Sequence, residues 1–288
     1  MDLSGSPYAE LAADTVIKPL YCTDSAVSTH SLGAKCIAEG NQETVYVKSS
    51  SFSLFAEKSL RVENIIFNHY DDVQILNPEE EDADERVCTG TRVECCATVS
   101  QEFDGISGNV YCKQTPTDGT GYQGDNAMFR FGSDEDVEKT IELVNVEFRG
   151  LQLAKALISI YEPNYRLIID GLTFVDSYFT NSMLDIGIWD ATSKAGVIEA
   201  SDINFGATAR MNLESAYPWG AFIYIISAGT NDNFEFTDIT ITGTSVLSTP
   251  IIWTNTLGTT VFGDITVPST ASFSSDNAYD SIAAFHIE

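Results

Sequence analysis

The chain predicts an all-β solenoid, a stack of short parallel strands. Three observations carry this: an octapeptide that recurs six times, a tight residue restriction at its fifth position, and a strand-like segment ahead of every copy. The copies are LRVENIIF (60–67), IELVNVEF (141–148), LIIDGLTF (167–174), IEASDINF (198–205), FEFTDITI (234–241) and TVFGDITV (260–267). Positions 1, 3, 6 and 8 are apolar in nearly every copy, whereas positions 2, 4 and 7 are mostly polar or tolerant of exposure. Position 5 is Asn64, Asn145, Gly171, Asp202, Asp238 or Asp264.

A strand of period two keeps positions 1, 3, 5 and 7 on one face. Here the apolar set slips by one residue at position 5. Asn, Asp and Gly are the residues that enter left-handed backbone at least cost. Position 5 is therefore read as a one-residue corner, and each octapeptide as two short strands meeting there. The copies start 81, 26, 31, 36 and 26 residues apart, so the long interval is about three short ones and leaves room for a further regular coil. The segments ahead of the copies are SFSLF (51–55), AMFRF (127–131), ALISI (156–160), MLDIGIW (183–189), AFIYIIS (221–227) and PIIWT (250–254). One repeat then reads strand, loop, strand, corner, strand, loop.

Along the chain, residues 1–43 precede the first clear strand and are expected to cap the stack, because an open terminal coil exposes unpaired backbone. Residues 44–288 form the solenoid. It is interrupted at about 75–125 by a loop insertion holding the acid run Glu79–Glu85 and the turn-rich TPTDGTGYQGDN (115–126). At the far end SIAAFHIE (281–288) has the alternation of the strand that precedes each octapeptide, with no octapeptide after it. Its Ile282, Phe285 and Ile287 would lie on an open edge, so head-to-tail assembly into a homo-oligomer or filament is expected.

This pattern resembles the right-handed parallel β-helix of the pectin-lyase-like superfold, in which a left-handed residue, often Asn, separates two strands of each coil. The resemblance covers roughly residues 44 to 288. The alternative architecture is an antiparallel sandwich, which the fixed corner chemistry disfavours. Polygalacturonase-like members of the superfold carry N-x-D, D-D, G-H-G and R-x-K motifs on adjacent coils. Here Asp71-Asp72 stands alone near His69, and neither G-H-G nor R-x-K occurs. Pectate-lyase-like members use a calcium cluster and a basic Arg, yet the seven Arg of this chain form no R-x-P-x-x-R run. The pattern leans away from an enzyme, because fold alone does not confer activity.

With 15 Lys+Arg against 42 Asp+Glu the net charge is −27, which excludes nucleic-acid phosphate and anionic membrane surfaces as direct partners and disfavours polyanionic sugars. No apolar run approaches a membrane span of about 18 residues. The first residues, MDLSGSPYAELAADTV, lack the basic and apolar regions of a signal peptide, so a secreted chain would be numbered from within a precursor. Six Cys (Cys22, Cys36, Cys88, Cys95, Cys96, Cys112) cluster toward the N-terminus, and four of them fall in the insertion. That clustering predicts disulfide staples and an extracellular or cell-surface setting, with connectivity left open. Zinc is disfavoured because only His30, His69 and His286 accompany the Cys and no C-x2-C pair recurs.

No residue is assigned as catalytic, cofactor-binding or metal-ligating. His69 and His286 each follow or occupy an apolar strand and are expected to be structural. Calcium is the one cofactor left open, through Asp118, Asp125 and Glu79–Glu85. Trp189, Trp219 and Trp253 are candidates for a sugar-stacking platform, with Trp219 of AYPWGAF at a loop-to-strand junction the foremost, although packing is the ordinary role of Trp. No Asn-x-Ser/Thr sequon occurs. The expected function is an extracellular structural or adhesive β-helix, a subunit of a surface appendage, coat or filament. The alternative is a carbohydrate-active enzyme, lyase or hydrolase, or a glycan-binding module.

Overall fold

In a computed structural model of the chain, every one of the six position-5 residues has left-handed backbone. Their φ angles are 56° at Asn64, 50° at Asn145, 80° at Gly171, 53° at Asp202, 53° at Asp238 and 32° at Asp264. The structure describes residues 8–11, 13–21, 37–46, 53–68, 127–131, 136–153, 156–175, 177–179, 182–206, 209–211, 221–241, 246–248, 251–267, 272–274 and 285–287. Among these every regular element is a strand.

The segments ahead of the octapeptides form one parallel sheet of eight strands. Its order is β1 (Tyr8–Leu11), β4 (Ser53–Ala56), β7 (Phe129–Phe131), β10 (Ile158–Ile160), β13 (Leu184–Thr192), β16 (Ile223–Gly229), β20 (Ile252–Thr256) and β24 (Phe285–Ile287). The octapeptides form a second parallel sheet. It runs β2 (Thr15–Ile17), β5 (Ser59–Glu63), β8 (Lys139–Arg149), β11 (Tyr165–Val175), β14 (Gly196–Phe205), β17 (Asn233–Phe236) and β21 (Thr259–Phe262). Beyond the corners this sheet continues in β3 (Glu43–Tyr46), β6 (Ile65–Asn68), β18 (Ile239–Ile241) and β22 (Ile265–Thr266). Two smaller sheets are β9 (Gln152–Leu153), β12 (Tyr178–Phe179) and β15 (Arg210–Met211), and β19 (Val246–Ser248) with β23 (Ser272–Ser274). The result is an all-β stack of long parallel sheets compatible with a β-solenoid.

Register follows the sequence repeat residue for residue. Leu60 pairs with Ile141, Ile141 with Leu167, Leu167 with Ile198, Ile198 with Phe234 and Phe234 with Thr260, so first positions align throughout. The direct pairing of β5 with β8 and of β4 with β7 means that the 81-residue interval advances the ladders by one step. Among the described residues no further strand stands between them in either ladder, so the room allowed for a regular coil is not used in these two sheets. Residues 8–17, assigned to a cap, supply β1 and β2, which pair in parallel with β4 and β5.

The corner sets the burial phase. In β8 Ile141, Leu143, Val146 and Phe148 are buried while Asn145 between the two sets is exposed. The same four positions are buried in the copies at 60, 167, 198 and 234, and half-buried in the copy at 260. The eighth positions stack along the axis: Phe67 lies 5.1 Å from Phe148 with rings 11° apart, and Phe148 lies 5.7 Å from Phe174 at 16°. Phe222 packs edge to face on both Phe179 and Phe205, which are themselves tilted 48° to each other. Such aromatic pairs add about 0.5–1.5 kcal/mol each beyond the area they bury. Outward positions carry cross-strand ion pairs such as Arg166–Glu199 (2.6 Å). These contribute little, because both side chains are more than a third exposed.

Two corners are tied side chain to side chain. Asn145 Nδ2 donates to Asn64 Oδ1 at 2.6 Å, and Asn64 Nδ2 donates to the Tyr21 hydroxyl at 2.6 Å. Gln42 Nε2 caps the row by donating to Asn145 Oδ1 at 3.2 Å.

Asp238→Val should destabilise the protein by about 1–2 kcal/mol, because a branched Cβ is strained in left-handed backbone, whereas Asp238→Gly should be tolerated. Urea denaturation of the two variants checks this, and equal stability would contradict the corner.

Candidate functional site

The outer face of the eight-stranded sheet places several aromatic side chains near one another. Inward residues Leu184, Ile186 and Ile188 of β13 are buried in the core, which turns Asp185, Gly187 and Trp189 outward. On β10 the same parity turns Ser159 outward, with Tyr161 just beyond the strand. Cross-strand pairing then sets Ser159, Asp185, Tyr224 and Trp253 in one row across β10, β13, β16 and β20. Arg130 of β7 extends that row beyond Ser159.

β13 does not pair evenly. Ile188 is opposite Ser227 but Thr192 is opposite Gly229, so the segment between them bulges. Bulges re-aim side chains and interrupt pairing. This one leaves Trp189 69% exposed, with Asp190 exposed beside it. Tyr161, 46% exposed, packs its ring over Gly187: a Cβ there would sit 2.9 Å from both Cδ1 and Cε1 of the ring and 3.2 Å from Trp189 Nε1. Gly187 therefore holds the two open rings close together. The Tyr161 hydroxyl donates to Asp185 Oδ2 at 2.7 Å, which fixes the ring's orientation. Tyr224 and Trp253 stack on each other at 4.9 Å and 19°, and Trp253 is only 6% exposed. Partial burial, with the Asp185 carboxylate adding to it, pushes the Tyr224 hydroxyl up to about 12. The open part of the face is thus Tyr161, Gly187, Trp189, Asp185 and Asp190.

A second cluster lies inside the stack where the octapeptide strands begin. Register aligns Lys139 with Tyr165 and Tyr165 with Gly196, and all three are buried. Asp232 is 5% exposed; its Oδ1 accepts the Gly196 N–H at 2.7 Å and its Oδ2 accepts the Ser227 hydroxyl. Gly229 leaves it room, since a Cβ there would fall 2.4 Å from both carboxylate oxygens, and Gly196 leaves room for Tyr165, since a Cβ there would fall 2.7 Å from the Tyr165 hydroxyl. The Tyr165 hydroxyl is buried without a hydrogen-bond partner. Burial raises it well above its ordinary value, and the Asp232 charge adds to this. Burial likewise raises Asp232, opposed in part by its bonds from Ser227 and Gly196.

Of the sequence candidates, Trp189 and Trp253 fall on the aromatic face, Trp189 as an open ring and Trp253 as packing. Trp219, Asp71, Asp72, His69, His30, Asp118, Asp125, the Glu79–Glu85 run and all six Cys lie outside the described residues, as does the side chain of His286. Among the described residues no group of three or more His, Cys, Asp or Glu could hold a metal ion. No described helix is long and apolar enough to cross a membrane. Tyr161, Asp185, Gly187 and the Asp232 cluster were missed from sequence. The outward parity of MLDIGIW, which puts Trp189 on the solvent side, was the available signal for the first three; AGTNDNF reads only as a turn. Comparison with known protein families, with curated proteins and with solved structures finds no match to this chain.

A raised Asp232 stabilises the fold when protonated, so its contribution is fully present below the ordinary Asp value of 3.8 and is lost as pH rises through the raised one. The isosteric Asp232→Asn should remove that part of the slope, at most about 1.4 kcal/mol per pH unit, and leave only the general repulsion of the acidic chain. Denaturation midpoints of both proteins from mildly acidic to neutral pH measure it. Parallel curves would contradict the assignment.

Proposed function

We propose that this chain is a right-handed parallel β-helix that works outside the cell as an adhesive structural element, part of a surface appendage, coat or filament, and that it contacts carbohydrate through the Tyr161–Trp189 face. The single observation that supports this best is Trp189, two-thirds exposed on a bulge beside a Tyr seated over Gly187. A large ring held open on a rigid sheet gives contact area with little loss of side-chain freedom, and Trp and Tyr dominate the energetics of such contacts. Extracellular placement is supported by the Cys cluster, whose thiols are proposed to pair as at least two disulfides within residues 22–112 and to staple the insertion at about 75–125. Head-to-tail stacking is proposed because a parallel ladder can be continued by a strand of a second copy.

Binding of the chain to a panel of neutral polysaccharides tests the adhesive reading. Trp189→Ala should weaken binding by at least about tenfold, and should shift stability by no more than about 0.5 kcal/mol, as expected of an exposed site. Binding unchanged by Trp189→Ala would contradict the site, and release of reducing ends or unsaturated products would favour an enzyme instead. Non-reduced mass spectrometry should find at least two disulfides, and light scattering should show mass rising with concentration. Six free thiols, or a monomer at all concentrations, would overturn the corresponding proposal.

A further inference from the structure

We infer that the Tyr161–Trp189 face takes an amine-bearing glycan of the glucosamine type in preference to a neutral one; this rests on the carbohydrate reading above and specifies its ligand. The open aromatic surface is flanked by carboxylates. Asp185 is held at 2.7 Å by the Tyr161 hydroxyl, and Asp190 is exposed next to Trp189 in the same bulge. A sugar ring stacked on an indole presents its C–H face to the ring and its substituents to the surroundings. An ammonium substituent directed outward from that ring would meet the neighbouring Tyr161 ring and the two carboxylates. Charge on the rest of the chain acts in the same sense, since a net charge of −27 raises the local concentration of cations. Arg130 stands in the same outward row, but beyond Ser159 and two strands from Asp185. The cationic end of the ligand is accordingly assigned to the side of Asp190, away from Arg130.

Isothermal titration in mildly acidic buffer, which keeps sugar amines protonated, separates the possibilities. The probes are a β-1,4-linked glucosamine hexamer, its fully N-acetylated counterpart and a β-1,4-linked glucose hexamer. The glucosamine hexamer should bind about tenfold more tightly than the other two, the scale of a desolvated cation–π contact with a carboxylate beside it. Asp190→Asn should reduce that preference, and Trp189→Ala should abolish it. Equal affinity for the three hexamers would overturn the inference while leaving the carbohydrate face intact. Absence of binding by all three would remove both. Glucosamine binding that survives Trp189→Ala undiminished would mark general attraction to an acidic surface, and would also overturn the inference.

Discussion

Every layer of the structure depends on one residue per repeat adopting left-handed backbone. A strand cannot turn from one sheet direction to another while keeping its apolar residues inward, because its side chains alternate with a period of two. A single residue of positive φ spends one position on the turn, so positions 1, 3, 6 and 8 all face the core. In β8 this is visible as burial of Leu143 and Val146 on either side of an exposed Asn145. Because the corner recurs at the same position in all six copies, the copies pair in register. In-register pairing in turn stacks like on like, which is why Phe67, Phe148 and Phe174 overlap ring on ring.

The identity of the corner residue then separates two regions. Asn64 and Asn145 both donate and accept, so their amides join into a row closed by Tyr21 and Gln42. Asp202, Asp238 and Asp264 can only accept, and in register they lie one strand spacing apart, about 4.8 Å. Gly171 sits between the regions, where an added Cβ would meet the Asn145 backbone at 3.4 Å. The eight-stranded sheet carries the proposed binding face. A bulge in β13 leaves Trp189 exposed, with Asp185 earlier on the same strand and Tyr161 following the neighbouring β10.

The corners, the two main ladders and the inward residues were legible in the sequence, because phase and residue type both repeat. Even Phe285–Ile287 of SIAAFHIE join the predicted sheet, as β24 beside β20. The single-step advance over the insertion was not legible, since an interval of 81 residues matches several coils as well as one. β1 and β2 were hidden because YAEL and TVI are too short to show the octapeptide's phase. The candidate site was half legible. Trp189 stood out by type, but its partnership with Tyr161 arises from the pairing of β10 with β13, and Asp232 acquires its environment from Gly196 of β14 and Gly229 of β16.

One left-handed corner per repeat, with successive corners in register, can be checked by nuclear Overhauser contacts measured on the folded chain. The account predicts contacts from the corner of each repeat to the next, Asp202 to Asp238 and Asp238 to Asp264, together with Ile203 to Ile239 and Phe236 to Phe262. Contacts that instead run in opposite directions along neighbouring octapeptides, as in an antiparallel sandwich, would contradict it.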